Sequence, residues 1–226
     1  MTVLAVTGLT KEAEIAGTAG VVAMAGGGDA ESLRQKLNAL HGDIKAVISI
    51  GLGGALAPHL KVGDVVIGDH VFFHGKLGER EDRLDCQAAW RVRMVSRLGT
   101  VYQGPVAGSD TIIADADSKK RLYDLSGALV VDMESHVAAR FAAARNVPFA
   151  ILRVISDEAG HDLPPAVLKA MKPDGGIAVW RVLGSLLRRP WQVPALIRTA
   201  RGSNKAFAEL LRCRDLLGVG LAGADL

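Results

Sequence analysis

The sequence predicts an α/β protein of three layers, with a mixed, mostly parallel central sheet flanked by helices. Short apolar segments rich in β-branched residues alternate along the chain with segments whose apolar residues recur at helical spacing. Such alternation is typical of parallel sheets whose two faces are covered by helices. The 26 glycines indicate many tight turns and close backbone approaches.

The first third of the chain contains four predicted strands and two predicted helices. Glycines stop three of the apolar segments, at Gly8, Gly26 and Gly51, because glycine readily ends regular structure. Asp29 is a predicted N-cap, and the leucines of the helix after it fall on one face. The strands are predicted at residues 3–7, 17–25, 46–50 and 65–73, and the helices begin near residues 11 and 30.

The rest of the chain continues the alternation and changes character after Pro173. Its last predicted strand, residues 149–155, is a continuous β-branched run typical of a buried parallel strand. We therefore divide the chain into a main domain, residues 1–174, and a basic amphipathic helical extension, residues 175–226, packed on or appended to the same domain. Strands are predicted at 101–108, 128–133 and 149–155, and helices at 88–98, 116–123, 136–145, 175–187 and 193–201.

Composition argues against several classes of protein. Aromatic residues, at 4%, are too few for a surface that stacks single-stranded nucleic acid. Cys86 and Cys213 lack the spacing of a zinc site or a disulfide framework, so we expect no metal and no cofactor. The first residues lack the basic region of a signal peptide, and no apolar segment is long enough to span a membrane. We therefore expect a cytoplasmic protein.

Polar residues follow several predicted strands, where the sites of parallel α/β proteins gather. Asp157 follows a buried strand and could be a general acid, or it could cap a following helix. Glu134 could accept both hydrogen bonds of a cis-diol, or it could be a first-turn acid on a helix dipole. Glu12 lies in a first helical turn, where the same structural role applies. The glycine-rich turn at residues 51–54 could approach a ligand closely, but it lacks the spacing of a dinucleotide or phosphate loop.

Together these segments resemble the nucleoside phosphorylase superfamily, above all its methylthioadenosine/S-adenosylhomocysteine nucleosidases. Val131-Asp132-Met133-Glu134 resembles the family's ribose-binding stretch, and Arg153-Val154-Ile155-Ser156-Asp157 resembles its Arg-x-Ile-Ser-Asp motif. Residues 8–12 and the glycine-rich segment at 51–64 are also similar to family segments. The resemblance covers roughly residues 3–160 in the same order, and it implies the superfamily's nucleoside phosphorylase-like fold.

The resemblance implies a role for each of these residues. Asp157 matches the acid that protonates N7 of the purine, and Glu12 matches the base that orients and deprotonates the attacking water. Glu134 matches the residue that binds the ribose hydroxyls, with Met133 packed under the sugar. Ile113 matches a position whose backbone contacts the adenine edge. The remaining candidate substrate contacts are Gly51, Leu52, Gly53 and Ser156.

The identity of the nucleophile depends on departures from the related phosphorylases. Those proteins hold phosphate with an Arg near the chain start and with an Arg-x-Gly-Ser turn. This chain has Glu12 at the first position and Ser-Ile-Gly-Leu at residues 49–52. A phosphate dianion would be poorly held there, so we expect hydrolysis. Phosphorolysis stays open, because Arg153 and the basic extension could donate to phosphate.

The expected substrate follows from two further features. Leu52 stands where the family's nucleosidases have Ser, which makes the site more apolar. The extension interleaves Trp and Leu with many arginines, which is typical of a helix at an anionic membrane surface or of an ordinary helix that closes the core. With residues 8–12, it resembles the hopanoid-associated members, which remove adenine from adenosylhopane. We therefore expect a lipid-linked adenine nucleoside, with methylthioadenosine/S-adenosylhomocysteine cleavage and phosphorolysis of a purine nucleoside as alternatives.

Partners are predicted from the resemblance and from the charge of the extension. The resemblance implies a homodimer or a larger homo-oligomer, and residues 175–214 are a candidate for peripheral contact with the inner face of the membrane. The basic extension could instead make the chain a nucleotide-sensing binding module. It contains no recognisable nucleic-acid-reading motif, and such a module has no need of both Glu12 and Asp157. We therefore expect an enzyme without a nucleic-acid partner.

Overall fold

The computed structural model describes residues 2–74, 80–165 and 193–223, and every structural statement below concerns these residues. The strands are β1 (Thr2–Thr7), β2 (Val21–Ala25), β3 (Ile44–Ala55), β4 (Val65–His74), β5 (Arg80–Asp85), β6 (Tyr102–Gly108), β7 (Val130–Asp132) and β8 (Phe149–Asp157). The helices are α1 (Thr10–Ala16), α2 (Ala30–Asn38), α3 (Ala88–Leu98), α4 (Ala116–Ser126), α5 (Ser135–Ala144) and α6 (Val193–Leu217), followed by a short 3-10 helix (Val219–Ala222).

The described strands form one mixed, mostly parallel sheet, as the sequence predicts. The strand order is β2-β1-β3-β7-β6-β4-β5, and β8 pairs with both β3 and β4. The strands β3, β8, β4, β6 and β7 therefore close into a ring in which each strand pairs with the next. Only the pairs β3–β7, β4–β5 and β4–β8 are antiparallel among the described strands.

Helices cover both faces of this sheet, which confirms the predicted layers. Side chains alternate along β1, so Leu4 enters one core and Ala5 the other. The helices α2 and α5 pack on the first core, to which they contribute Leu37 and Phe141. The helices α1, α3 and α6 pack on the second core, where Trp90 of α3 is fully buried. Each large apolar side chain buried in this way stabilises the fold by about 1.5–3 kcal/mol.

The observed elements differ from the predicted ones at several points, among them β2, which begins at Val21 rather than at residue 17. The strand β3 does not end at Gly51 but continues to Ala55. The strand β5 is not predicted by the sequence at all, and α6 continues past its predicted end at residue 201 as far as Leu217. The helix predicted at residues 175–187 lies outside the described residues.

The helix α6 packs on the same core as the strands. Its Leu210, Cys213 and Leu217 are fully buried, against elements that include β8, α1 and α3. Gly202 allows close approach to β8, because a Cβ at this position would lie 2.8 Å from the backbone oxygen of Ser156. No helix among the described residues is both long and apolar enough to cross a membrane.

Candidate active site

A cavity of about 200 Å³ lies where several strands of the sheet end. Its walls come from the loop after β1, the end of β3, the loop after β6 and the ends of β7 and β8, as expected for an α/β protein. Thr199 and Ser203 of α6 also line it. Eight of the predicted site residues line this cavity: Glu12, Leu52, Gly53, Ile113, Met133, Glu134, Ser156 and Asp157.

Glu12 is held in this cavity by three backbone N–H groups. Its Oε2 accepts hydrogen bonds from the N–H groups of Gly8 and Leu9, at 2.7 and 2.8 Å, and its Oε1 accepts one from Leu52 at 2.9 Å. The side chain therefore satisfies N–H groups at the start of α1 and also joins that helix to β3. Burial raises the pKa of Glu12, although these hydrogen bonds and the nearby Arg153 oppose the shift. A buried carboxyl of this kind is suited to accept a proton.

Arg153 is the centre of a buried charged network. Its Nε donates to Asp132 Oδ2 at 2.8 Å, and its Nη2 donates to the hydroxyls of Ser49 and Ser135, at 2.5 and 3.1 Å. Asp132 also accepts from the backbone N–H of Glu134 and thereby fixes the turn into α5. Arg153 Nη1 is buried without a hydrogen-bond partner among the described residues. Because a buried unpaired donor is costly, this nitrogen indicates a position for bound water or for part of a ligand.

Gly51 does not line the cavity but lies against Glu12 and Arg153. A Cβ at this position would lie 2.8 Å from Glu12 Oε2 and 2.9 Å from Arg153 Nη1. Gly53 lies against β7 in a similar way, since a Cβ there would lie 2.5 Å from Val130 Cγ2. The prediction of a glycine-rich turn is therefore wrong. This segment is extended and remains paired with β8, and its glycines make room for neighbouring side chains.

Glu134 is buried at the start of α5, where its side chain makes no capping hydrogen bond. Its Oε2 lies 3.8 Å from Arg153 Nη2. Burial raises the pKa of Glu134 to about 8, although the charge of Arg153 opposes the shift. A carboxyl that is protonated at neutral pH can donate one hydrogen bond and accept another, which suits a vicinal diol. The interpretation of Glu134 as a simple first-turn acid does not describe this geometry.

Asp157 is the last residue of β8, and each of its two carboxylate oxygens accepts a hydrogen bond. Its Oδ1 accepts a hydrogen bond from the hydroxyl of Ser156 at 2.7 Å, and its Oδ2 accepts one from Lys119 Nζ at 2.6 Å. Residues 158–164 contain no helix, so the alternative that Asp157 caps a following helix is wrong. Lys119 has no exposed surface. The sequence does not identify it, because a lysine on a polar helix belongs to no motif.

The remaining walls of the cavity are mostly apolar. Met133 and Ile113 line it half-buried, beside Leu9 and Leu163. Leu9 lies in the family-like segment at residues 8–12, but neither leucine is a predicted site residue. Thr199 and Ser203 of α6 are also not predicted from the sequence, because they lie more than forty residues beyond the last motif. Among the described residues, no group of His, Cys, Asp and Glu side chains could hold a metal ion.

Known proteins share this architecture. A family model described as "Phosphorylase superfamily" matches residues 5–179. The chain is 30% identical over 127 residues to a 5'-methylthioadenosine/S-adenosylhomocysteine nucleosidase of Haemophilus influenzae, an alignment that covers 49% of this chain and 55% of the relative. The solved nucleosidase of the same name from Neisseria meningitidis, in complex with methylthio-immucillin-A, superposes with a TM-score of 0.68 at 17% identity, over 96% of this chain and 98% of that one. Futalosine hydrolase of Helicobacter pylori superposes with a TM-score of 0.67 at 13% identity, over 95% and 97% of the two chains.

These similarities differ in extent. The chain aligns with 25% and 55% of the lengths of two curated relatives that it matches. The two solved structures, at 17% and 13% identity, share the fold with it over nearly its whole length. The predicted nucleoside phosphorylase-like α/β fold is therefore confirmed.

Proposed function

Because the chain belongs to the phosphorylase superfamily, we propose that it is an enzyme that cleaves the N-glycosidic bond of an adenine nucleoside with water and releases adenine. The observation that supports this most directly is that Glu12, Glu134 and Asp157 line one cavity. A pair of carboxyls divides the acid and base work of glycoside hydrolysis, and the third suits the sugar hydroxyls. Relatives named as nucleosidases support the same reaction.

Each side chain then has a defined task, and Glu12 has two. Asp157 donates a proton to N7, so that adenine leaves as a neutral base. Positive charge develops on the ribose as the bond breaks, and the negative charge of Glu12 stabilises it. Glu134 binds the ribose hydroxyls, with Met133 packed under the sugar. The backbone of Ile113 contacts the adenine edge. Glu12 finally takes the proton that the attacking water loses.

The buried charges favour water over phosphate as the nucleophile. Arg153 is already neutralised by Asp132, its partner at 2.8 Å. The carboxyls of Glu12 and Glu134 are buried nearby, and their pKa values are influenced by the same guanidinium. A phosphate dianion would be repelled by the carboxylates of Asp132 and Glu12, which together exceed the single positive charge of Arg153. Water, in contrast, can accept a hydrogen bond from the unpaired N–H of Arg153 Nη1 and donate a hydrogen bond to Glu12.

Substitution of the proposed acid and base tests the reaction. We expect Asp157→Asn and Glu12→Gln each to lower kcat for adenine release by about 10²- to 10⁴-fold, the usual contribution of positioned proton transfer. Asp124→Asn, on the exposed surface of α4, is the matched control and should retain full activity. Circular dichroism must show that all variants are folded. Wild-type protein that binds adenine nucleosides but releases no adenine would instead support the nucleotide-sensing module.

The acceptor is tested with the same assay. Adenine should appear equally fast with and without inorganic phosphate, and the second product should be a free reducing sugar. A strict requirement for phosphate, with a sugar 1-phosphate as product, would identify a phosphorylase and overturn the proposal of hydrolysis.

We further propose that the preferred substrate has a lipid at the 5' carbon, as adenosylhopane does. Leu9, Leu52 and Leu163 give the cavity an apolar lining. Thr199 lies on the cavity wall, and the exposed residues Ile197 and Arg198 precede it on α6, so an apolar and a basic side chain lie next to this wall. The other residues on which this prediction depends, Trp180, Leu183, Leu186, Leu187 and Trp191, lie outside the described residues.

Vesicle binding and substrate preference test the lipid proposal. Each Lys or Arg near an anionic surface contributes roughly 1 kcal/mol to binding, so the protein should cosediment with phosphatidylserine vesicles and release at high salt. Adenosylhopane should be cleaved with a higher kcat/KM than methylthioadenosine. The alternative, a methylthioadenosine/S-adenosylhomocysteine nucleosidase, is favoured by the names of the relatives. This alternative is correct if the protein does not bind the vesicles and cleaves methylthioadenosine with the higher kcat/KM.

We also propose a homodimer, on the resemblance to the superfamily. Light scattering after gel filtration should then give about 48 kDa, twice the 23.8 kDa of the chain. A mass of one chain at micromolar concentration would contradict this.

A further inference from the structure

We propose that the ammonium group of Lys119 promotes the transfer of a proton from Asp157 to the purine, which makes Lys119 a positioning residue that acts through Asp157. The inference rests on the proposed function, because it concerns how the leaving base is protonated. The motifs that resemble the superfamily do not include Lys119. It comes from α4, a helix that contributes no residue to the lining of the cavity.

Lys119 has the surroundings of a charged ammonium group. It has no exposed surface. Its Nζ donates to Asp157 Oδ2 at 2.6 Å, to the backbone oxygen of His161 at 3.0 Å and to that of Glu158 at 3.2 Å. An ammonium group has three N–H donors, and each of them has one acceptor here. A hydrogen bond between an ammonium and a carboxylate is about twice as strong as a neutral one.

The loop that follows Asp157 holds the start of α4 in place. Asp115 caps the helix, where its side chain accepts from the N–H of Ser118 at 2.8 Å. The N–H of Ala116 donates to Asp162 Oδ1 at 2.8 Å, and the N–H of Leu163 donates to the oxygen of Ala114 at 2.8 Å. Lys119 therefore reaches Asp157 from a helix whose start is bound to the same loop.

The charge of Lys119 has a direct consequence for proton transfer. In the reacting complex Asp157 is protonated, its O–H bond breaks, and a new N–H bond forms at N7 while the glycosidic bond opens. The negative charge that remains on Asp157 develops 2.6 Å from the Lys119 nitrogen, which keeps all its protons. A fixed cation beside a charge that grows in the transition state lowers the barrier. The carboxyl regains its proton from solvent after the base has left.

A purely structural role for Lys119 predicts a different pattern of kinetic effects. If the lysine only holds residues 158–163 in place, its loss should slow every substrate to a similar degree. If it assists protonation of the base, its loss should slow only leaving groups that need a proton. Cleavage of a 4-nitrophenyl riboside releases 4-nitrophenolate, which is a stable anion. This reaction therefore requires Glu12 and Glu134 but no proton from Asp157.

The test compares Lys119→Gln, which keeps N–H donors without the charge, with Lys119→Arg, which keeps the charge. Lys120→Gln, on the exposed side of the same helix, is the control and should behave as wild type. We expect Lys119→Gln to lower kcat for adenine nucleosides about 10²-fold and kcat for the 4-nitrophenyl riboside less than about 3-fold. Lys119→Arg should recover most of the loss with adenine nucleosides.

Several outcomes overturn the inference. Equal losses with both leaving groups would assign Lys119 a structural role, and full adenine release by Lys119→Gln would assign it no role. If Lys119→Gln does not fold, Lys119→Arg provides the test, through the ratio of kcat for adenine nucleosides to kcat for the 4-nitrophenyl riboside. This ratio should stay within about 10-fold of the wild-type ratio. A larger, selective loss of adenine release would contradict the inference. Wild-type protein that cleaves no adenine nucleoside would refute the proposed function itself.

Discussion

Gly51→Ala is the substitution for which the structure predicts the sharpest effect. The new Cβ would lie 2.8 Å from Glu12 Oε2 and 2.9 Å from Arg153 Nη1. A contact of about 3.4 Å is the shortest ordinary one, so the carboxyl group must move by about 0.6 Å, the difference between 3.4 and 2.8 Å. Glu12 cannot move freely, because three backbone N–H groups hold it at 2.7–2.9 Å.

The expected result is a large loss of activity in a folded protein. Overpacking of this kind costs about 1–3 kcal/mol of stability, which corresponds to a fall in Tm of about 2–4 °C for each kcal/mol in a protein of this size. Misplacement of a reacting group by about 1 Å can cost about 10²-fold in rate, so kcat for adenine release should fall by about 10- to 100-fold.

A matched glycine provides the control for this experiment. A Cβ at Gly160 would meet no neighbouring atom within 4 Å, and the residue does not need a positive φ, so Gly160→Ala should retain wild-type kcat and Tm. Adenine release is followed by absorbance, and unfolding is followed by circular dichroism. If Gly51→Ala is stable and keeps full kcat, then the position of Glu12 against Arg153 does not matter for the reaction, and the proposed role of Glu12 is wrong.

Three further substitutions test the buried groups. Glu134 has a pKa of about 8 in the folded protein against an ordinary 4.5, so between these pH values only the unfolded chain releases its proton, and the stability of the fold falls as pH rises. Glu134→Gln removes this fall, so the Tm difference between variant and wild type should shift in favour of the variant from pH 5 to pH 8. A constant difference would contradict the raised pKa. Asp132→Asn leaves the fully buried Arg153 without its carboxylate and should cost about 3–5 kcal/mol of unfolding free energy in urea; a loss below about 1 kcal/mol would show that the pair is dispensable. Trp90→Phe removes the 2.8 Å hydrogen bond from Nε1 to the Leu221 oxygen and should cost about 1–3 kcal/mol with unchanged adenine release, and a change in kcat would show that the second core is coupled to the site.

The sequence by itself determined the order of elements and most of the site. Alternation of apolar segments predicts seven of the eight described strands, because the interior positions of such strands must be apolar. The residues Glu12, Glu134 and Asp157 follow predicted strands, and strand ends meet at one edge of a parallel sheet. Two short motifs, around Met133 and around Ser156, therefore predict groups that the structure places on one cavity.

Only the tertiary structure decided how these groups are surrounded. The glycines at 51 and 53 are typical of a turn when they are seen in the sequence. In the fold they lie inside β3, because Arg153 and Val130 occupy the space that side chains there would need. The strand β5 escaped prediction because its residues, Arg-Glu-Asp-Arg-Leu-Asp, are mostly charged and lie at the edge of the sheet. Its pairing with β4, rather than its own composition, makes it a strand.

The partners of the acidic residues are also a property of the fold alone. Lys119 lies 38 residues before Asp157 in the chain and contacts it at 2.6 Å. Thr199 and Ser203 reach the cavity from α6, which packs beside β8. No local pattern records such contacts, because they depend on where separate helices pack on the sheet. The sequence therefore determines which chemical groups are present at the strand ends. The packing of α4 and α6 decides which charged side chains lie beside those groups and which residues complete the cavity wall.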